Sequence, residues 1–226
     1  MLKVFRDLNR FERALWVFSV VVVSVSFLLT DSPDVLTLAA SLIGVTALVF
    51  VAKGYVLGQV LTVVFAIVYG VISSFQRYYG EMITYLGMTS PIALMAAVEW
   101  LRNPYAGTRE VRVRTLNAKQ TALMWILTAI VTAAFHFVLR ALGNASLFFS
   151  TVSIATSFLA SYLTLMRSPS YALAYAANDV VLIILWVIAA ANVPGCAPMI
   201  VCFAMFLIND SYGFINWRRM MKRQRE

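Results

Sequence analysis

Charged residues are scarce in this chain, where they make up 12% of 226 residues, whereas 62% of the residues are hydrophobic. A soluble domain of this length cannot bury so much apolar surface, so the composition excludes a sizeable soluble domain and favours a membrane protein. Histidine and cysteine are also scarce. With only His136, Cys196 and Cys202, the chain lacks a disulfide framework and the ligands for most metal sites. We therefore expect no metal and no cofactor.

Nucleotide-binding and catalytic motifs are also missing from the sequence. It contains no P-loop, no nucleophile elbow, no His-Glu-x-x-His sequence and no pair of catalytic carboxylates. These absences disfavour transport driven by ATP hydrolysis on this chain, and they disfavour most hydrolytic activities. We expect a protein that is not an enzyme.

The sequence does contain a series of long apolar runs. A helix crosses a bilayer in about 20 residues, and eight runs of this kind are bounded by charges, Pro, Gly or Asn. The first run resembles a signal peptide, but no Ala-x-Ala cleavage site follows it, so we expect a retained helix. The sequence thus predicts an all-α polytopic membrane protein. The predicted spans are Ala14–Thr30, Val35–Ala52, Tyr55–Ser74, Met82–Leu101, Thr121–Leu142, Leu147–Met166, Tyr171–Ala190 and Pro198–Trp217.

The basic residues test this number of spans. When the loops are assigned to alternating sides, sixteen of the 18 Lys and Arg residues fall on one side, and only Arg77 and Arg140 fall on the other. Cytoplasmic loops are rich in Lys and Arg, so both termini are predicted to be cytoplasmic. Orientation and anionic lipid explain the net charge of +8, and no nucleic-acid partner is needed. The sixteen are Lys3, Arg6, Arg10, Arg13, Lys53, Arg102, Arg109, Arg112, Arg114, Lys119, Arg167, Arg218, Arg219, Lys222, Arg223 and Arg225.

The spans also suggest an internal repeat. An offset of about 117 residues places Glu99-Trp100-Leu101-Arg102 on Asn216-Trp217-Arg218-Arg219, and it nearly superposes the second and third spans on the sixth and seventh. We expect two parallel three-helix bundles joined by a linker helix, plus an extra N-terminal helix. The predicted segments are 1–34 (N-terminus and extra helix), 35–102 (first bundle), 103–146 (cytoplasmic loop and linker helix), 147–219 (second bundle) and 220–226 (basic tail).

Polar residues at mid-span are the candidate substrate-binding residues, because repeats of this kind place the substrate near the bilayer midplane. An Asn-Asp pair occurs twice at this depth, as Asn178-Asp179 and as Asn209-Asp210. Helical spacing adds Tyr175 and Trp186 to the first pair, and Tyr212 and Asn216 to the second. The first bundle contributes Gln59 and Tyr69. In the alternative interpretation, these side chains only hold helices together by hydrogen bonds.

The chemistry of the substrate follows from the missing counter-charge. No Lys or Arg lies at the depth of Asp179 and Asp210, so these carboxyl groups are either protonated or face a cation. Amides and hydroxyls bind hydroxyl and carboxamide groups, and aromatic faces stack on a flat cation. A polar aromatic cation that carries a sugar fits best. A proton carrier and a receptor or scaffold that transports nothing stay open as alternatives.

Three further segments have structural interpretations. His136 is interpreted as a packed histidine on the linker helix, and 103–120 as a solvated loop. Thr89-Ser90-Pro91, in the middle of the fourth span, predicts a bend or a free carbonyl, because proline lacks an N–H.

Several short segments, in the same order, resemble the PnuC family of bacterial nicotinamide riboside transporters. They are Tyr79-Gly80-Glu81, Glu99-Trp100-Leu101-Arg102-Asn103, the run from Tyr171 to Asp179, and the run from Leu207 to Trp217. The resemblance extends over roughly residues 35–219. It implies a SWEET-like fold, a homotrimer in the inner membrane, and facilitated diffusion with trapping of the substrate by a cytosolic kinase.

The resemblance also bears on the substrate. In the family, a Trp-x-x-Trp-x-x-x-Asn stretch lines the vitamin site; its Asn matches Asn178, but its two Trp positions are Tyr171 and Ala174 here. This departure weakens one aromatic wall or leaves it to Tyr175. Nicotinamide riboside and thiamine are both flat aromatic cations, and the residues do not separate them, whereas riboflavin and neutral nucleosides fit less well.

Overall fold

The computed structural model describes residues 5–30, 34–75, 79–144, 146–191 and 197–226. Lys3, Arg77 and Cys196, which enter the sequence argument, lie outside these ranges. Eight helices of the described chain are long and apolar enough to cross a membrane, and it forms no strand, which confirms the predicted fold class. The helices are α1 (Arg10–Leu28), α2 (Val35–Ala52), α3 (Val56–Phe75), α4 (Tyr79–Arg102), α5 (Ala118–Ala141), α6 (Leu147–Leu165), α7 (Tyr171–Ala190) and α8 (Ala197–Arg223).

Several helices extend beyond the predicted apolar runs. α1 begins four residues before the predicted Ala14, because Asn9 caps it. The Asn9 side chain accepts a hydrogen bond from the N–H of Glu12 (2.8 Å), and the Glu12 side chain accepts one from the N–H of Asn9 (2.7 Å). Asn117 and Gln120 form the same capping box at the start of α5. Caps of this kind are polar, so a search for apolar runs starts the helix too late.

α4 changes its winding in the middle. Tyr79–Thr84 and Ser90–Arg102 are α-helical, but Tyr85–Thr89 between them forms a π-helix, and the N–H of Ser90 donates to the carbonyl of Tyr85. Single π-turns are often found at functional sites. The segment lies directly before Pro91, where the sequence predicts a bend.

The helices pack in two rows of three. α3 contacts α2 and α4, and α7 contacts α6 and α8. The rows are joined at both ends, since α4 packs on α6 and α8 packs on α2. α1 packs against α2 and α8, while α5 packs against α6. The six helices of the two rows therefore form a closed ring, with α1 and α5 on its outside.

One end of the ring carries the N-terminal segment, the end of α8 and the turns that follow α2, α4 and α6. Ion pairs join these segments, with Lys53 Nζ 2.9 Å from Glu12 Oε2 and Arg109 Nη1 2.8 Å from Asp7 Oδ2. We call this end the terminal face. The other end, where α2, α4, α6 and α8 begin, is the far face.

Two tryptophans make reciprocal contacts between the rows at the terminal face. Trp100 of α4 donates its indole N–H to the carbonyl of Thr164 in α6 (3.0 Å), and Trp217 of α8 donates to the carbonyl of Val51 in α2 (2.9 Å). The two rings lie 5.3 Å apart. This reciprocity supports two related three-helix units, although the exact boundaries 35–102 and 147–219 stay a prediction.

No single difference in residue number relates all equivalent positions of the two three-helix units. Gly54 after α2 and Arg167 after α6 both have positive φ, and both N–H groups donate to the carbonyl three residues earlier, that of Val51 or Thr164. These equivalent turns are 113 residues apart, whereas Trp100 and Trp217 are 117 residues apart. The difference of four residues is about one helical turn, so one offset superposes the helices but not every residue pair in them.

Most residues of the loop between α4 and α5 are exposed, as predicted for a solvated loop, but one edge of the loop packs against the ring. Val111 is 1% exposed. Its N–H donates to the carbonyl of Gly54 (2.9 Å), and the N–H of Arg114 donates to the carbonyl of Arg167 (3.0 Å). Gln224 accepts from the N–H of Val113 and donates to the carbonyl of Val111. Valine and arginine alternate at 111–114, so the valines face the ring while the arginines are exposed to solvent.

Candidate functional site

A cavity of about 400 Å³ opens at the far face. The first turns of α4 and α6 and the last turns of α5 and α7 form its walls. Glu81 and Asn144 are among its polar residues, and Tyr85 and Trp186 supply aromatic surface. The volume lies within the range of about 300–1,000 Å³ that is typical of small-molecule sites. The cavity is therefore large enough to admit a small aromatic solute.

The terminal face is closed beneath this cavity. The buried rings of Trp100, Trp217 and Tyr171 pack together, with the centroids of Tyr171 and Trp217 4.8 Å apart. Beside them Arg167 pairs with Glu99 at 3.3 Å; burial lowers the pKa of the Arg167 guanidinium, and the charge of Glu99 opposes this shift. The structure is thus open to the far face and closed at the terminal face.

Two residues of the cavity wall, Glu81 and Tyr85, pack against the buried rings of Tyr69 and Phe65 in the first row. The hydroxyl of Tyr69 donates to Glu81 Oε2 at 2.5 Å. The rings of Tyr69 and Tyr85 meet edge to face at 4.7 Å, and Phe65 stacks on Tyr69 at 5.4 Å. The wall therefore offers a carboxylate next to electron-rich ring faces, a combination that attracts a cation.

Asp179 of α7 and Asp210 of α8 meet at mid-depth between the two helices. Their carboxyl groups lie within hydrogen-bonding reach of each other, and each residue is 3% exposed. Asp179 Oδ2 has no hydrogen-bond partner among the described residues. Tyr175 is close to both carboxyl groups, and Tyr85 is close to Asp179. The pair is therefore buried among aromatic rings.

Asn178 points to α6, not to α8. Its Oδ1 accepts hydrogen bonds from the hydroxyls of Ser153 (3.1 Å), Thr156 (2.9 Å) and Ser157 (3.0 Å). Ser153 also lines the cavity. This triple contact fixes the amide in one orientation next to the cavity.

Three candidates on α8 bind neighbouring helices. Asn209 Nδ2 donates to Ser19 Oγ of α1 (3.0 Å), the hydroxyl of Tyr212 donates to Glu12 of α1 (2.9 Å), and Asn216 Nδ2 donates to the carbonyl of Ala52 in α2 (2.8 Å). Their hydrogen bonds dock α1 and α2 onto α8. The interpretation of polar residues as contacts between helices accounts for these three.

The other candidates differ in position. Trp186 lines the cavity, and the Tyr175 hydroxyl lies 3.5 Å from Ser161 Oγ, within the second row. Gln59 is buried in the first turns of α3, near the terminal face and away from the cavity. His136, interpreted as a packed histidine, lies 3.1 Å from Thr151 of α6.

Of the residues that line the cavity, the set of candidates contained only Trp186. Glu81 and Tyr85 are the two missed residues that matter most for a cationic ligand. Glu81 lies two residues into α4, close to the span end, so depth along the helix did not mark it. Tyr85 is an ordinary aromatic residue in a membrane span. Its one signal is its place in the turn before Thr89-Ser90-Pro91, where the regular helix is interrupted.

Eight helices that are long and apolar enough to cross a membrane, four of which enclose an acidic, aromatic cavity open to one side, are the architecture of a polytopic membrane transport protein. The chain belongs to the nicotinamide mononucleotide transporter family, whose profile matches residues 34–219. The match covers both rows of helices and leaves out α1.

Individual relatives agree with this assignment. The chain is 24% identical to the nicotinamide riboside transporter PnuC of Neisseria mucosa, over 98% of this chain and 86% of that protein. It is also 24% identical to the nicotinamide riboside transporter PnuC of Haemophilus influenzae, over 85% and 84% of the two chains. Its fold is similar to the crystal structure of the vitamin B3 transporter PnuC, with a TM-score of 0.83, 24% identity, and coverage of 96% of this chain and 94% of that one.

Proposed function

We propose that this protein carries nicotinamide riboside across the bacterial inner membrane. The observation that carries the proposal is a set of three carboxyl-bearing residues among aromatic rings: Glu81 in the cavity wall, and the deeper pair of Asp179 and Asp210. The ring of Tyr85 lies close to both Glu81 and Asp179, and no Lys or Arg of the described spans lies at the depth of the two aspartates. Nicotinamide riboside is a pyridinium, so its ring carries a fixed positive charge that carboxylates and ring faces attract.

Each part of the substrate has a partner in this proposal. Tyr85 and Trp186 line the cavity and provide surface for the pyridinium ring. Tyr69 packs on Tyr85 from behind, and Tyr175 lies deeper, beside the two aspartates. The amide of Asn178 and the hydroxyls of α6 provide partners for the carboxamide or the ribose. The helix framework that positions these residues then includes the other four candidates, Asn209, Tyr212, Asn216 and Gln59.

The mechanism is alternating access. The far-face cavity provides the entrance, and the Trp100 and Trp217 contacts form the closed gate at the terminal face. Release requires those contacts to open while the far face closes. The substrate moves down its own concentration gradient without ATP, and phosphorylation by a cytosolic kinase keeps the product in the cell.

The orientation follows from charge. The basic residues Lys53, Arg109, Arg167 and Arg223 lie at the terminal face, and the cytoplasmic side of membrane proteins is rich in such residues. This distribution supports an orientation with both termini in the cytoplasm and the cavity facing outward. A homotrimer, which the family resemblance implies, stays a prediction that native mass spectrometry tests.

Counterflow in liposomes tests the proposed function. Purified protein is reconstituted into vesicles loaded with unlabelled nicotinamide riboside, and labelled nicotinamide riboside is added outside. We expect the label to enter rapidly and transiently, as it does for a carrier. Counterflow of thiamine but not of nicotinamide riboside would change the substrate and keep the class. Binding without counterflow of either compound would favour a receptor over a transporter.

A further inference from the structure

We propose that a basic pocket at the terminal face binds a phosphate group, and that the bound group holds this face closed. The ligand is a phosphate-bearing anion, supplied either by the headgroup of an anionic lipid or by a soluble phosphate compound. The inference rests on the proposed function in one respect, because it takes the terminal face as the gate that must open for release.

The pocket lies between the loop that follows α4 and the end of α8. Its volume is about 220 Å³, below the range of about 300–1,000 Å³ that is typical of sites for whole small molecules. Three arginines line it, with Arg112 and Arg114 from the loop and Arg225 from the end of the chain. Thr115 adds a hydroxyl. The pocket therefore suits a single negatively charged group with several acceptor oxygens.

The arginines of this pocket form no ion pair within the described chain. The nearby acidic side chains are engaged elsewhere, since Glu110 pairs with Arg223 and Glu99 pairs with Arg167. Glu226, the last residue, does not line the pocket. A guanidinium group binds phosphate through two parallel hydrogen bonds. A phosphate group would thus supply the counter-charge that these side chains lack.

A further arginine beside the pocket increases the excess of positive charge. Burial lowers the pKa of the Arg167 guanidinium, and the charge of Glu99 opposes this shift. The charges of Arg114 and Arg112 lower the same pKa further, so the three guanidinium groups are close enough to repel one another. Arg167 Nε is buried and has no hydrogen-bond partner among the described residues. An anion bound at Arg112 and Arg114 would offset this repulsion.

The segment 111–114 connects the pocket to the closed gate. The N–H of Val111 donates to the turn after α2, in the first row, and the N–H of Arg114 donates to the turn after α6, in the second row. Gln224, which also lines the pocket, accepts from the N–H of Val113 at 2.8 Å. The segment is therefore bound to both rows at the terminal face. Some of these contacts must break when the rows separate there.

A bound phosphate group opposes that separation. It joins Arg112 and Arg114 of the segment to Arg225 at the end of α8, and so adds charge-assisted hydrogen bonds to the closed arrangement. A ligand that binds only one arrangement shifts the population toward it. The bound group therefore slows the opening of the gate and the release of substrate. With a lipid headgroup, transport depends on membrane composition; with a soluble anion, it depends on phosphate compounds in the cytosol.

Hydrogen exchange of the amides at 111–114 tests the site without any substrate. The full chain is purified in a neutral detergent, and exchange is compared in sodium chloride, in sodium phosphate of equal ionic strength and acidity, and in sodium chloride with phosphatidylglycerol in the micelles. At about ten times the dissociation constant of the probe, exchange should slow by about tenfold. Slowing by phosphate identifies a soluble ligand, and slowing by phosphatidylglycerol alone identifies a lipid headgroup. Absence of slowing with both probes overturns the proposal.

Two double variants assign the effect to the pocket. Arg112→Gln with Arg114→Gln removes two charges from the pocket and keeps the main-chain hydrogen bonds of the segment, so neither probe should slow exchange. Lys119→Gln with Arg219→Gln removes two exposed charges of the same face that do not line the pocket, and it should respond as the wild type does. Arg225→Gln lies beyond the last helix, where it does not affect folding, and should need more probe for the same slowing. A wild-type response in Arg112→Gln with Arg114→Gln, or in Arg225→Gln, would overturn the site.

Counterflow in phosphatidylcholine vesicles measures the consequence for transport. The probe that slows hydrogen exchange, present on both sides of the membrane, should also slow the counterflow of labelled nicotinamide riboside in the wild type but not in Arg112→Gln with Arg114→Gln. Slower hydrogen exchange with unchanged counterflow would overturn the role of the pocket in holding the gate. If counterflow is absent under every condition while hydrogen exchange still slows, the proposed function fails and the phosphate site stands.

Discussion

Adjacent residues at the centre of the site have different partners. Asn178 contacts hydroxyls of α6, whereas Asp179 meets Asp210 of α8. On α8, Asn209 contacts α1, whereas Asp210 faces α7. Neighbours in a helix point about 100° apart, so each Asn-Asp pair serves two surfaces. The sequence predicted the depth of these residues correctly, but depth does not reveal which helix lies beside each one.

The two asparagines should therefore respond differently to truncation. Asn178→Ala removes the acceptor of three hydroxyls beside the cavity, and we expect it to weaken nicotinamide riboside binding by more than about 1 kcal/mol. Asn209→Ala removes hydrogen bonds to Ser19 and to the carbonyl of Met205, and we expect lower thermal stability with nearly unchanged affinity.

Isothermal titration calorimetry and thermal denaturation of both purified variants measure the two effects. A larger loss of affinity in Asn209→Ala than in Asn178→Ala would contradict this assignment and place Asn209 in the site.

At the scale of elements, apolar length predicted the number of helices but not their ends or their irregularities. Each of the eight apolar runs forms a helix, because a segment in lipid must satisfy its backbone hydrogen bonds internally. The ends depend on caps such as Asn9 and Asn117, which are polar. The π-helical turn of α4 precedes Pro91, and proline indicated an interruption without specifying its geometry.

The tryptophans that join the rows provide a test at this scale. Trp100→Phe and Trp217→Phe each keep an aromatic ring and remove one indole hydrogen bond to a main-chain carbonyl of the other row. We expect each change to destabilise the closed terminal face by about 1 kcal/mol. Hydrogen exchange at residues 111–114 should become faster as that face opens more often.

Trp125→Phe is the matched control for this test. Trp125 lies on α5 and is 58% exposed, so its substitution should leave the exchange of residues 111–114 unchanged. Equal protection of these amides in all three variants would contradict the role of Trp100 and Trp217 in closing the terminal face.

For the whole molecule, the sequence predicted the number and orientation of the spans, but not the contacts between segments that are distant in the chain. The distribution of basic residues supports eight spans and one orientation, because orientation depends on charge in the loops. The solvated loop was predicted, but the edge of it that packs on the ring was not, since its main-chain hydrogen bonds to Gly54 and Arg167 involve no particular side chain. Glu81 was also missed as a site residue, because its role depends on Tyr69 from another helix.

We propose that the acidic, aromatic interior of the whole molecule selects a substrate ring with a positive charge. Nicotinamide riboside and its reduced form have nearly the same shape, but only the oxidised pyridinium carries a positive charge. A carboxylate beside ring faces distinguishes the two by electrostatic attraction, which is strong in a site of low polarity.

The most direct measurement is the binding affinity of the purified protein for both forms by isothermal titration calorimetry. We expect oxidised nicotinamide riboside to bind at least about tenfold more tightly than the reduced form, a difference of about 1.4 kcal/mol. Equal affinities, or tighter binding of the reduced form, would contradict this expectation.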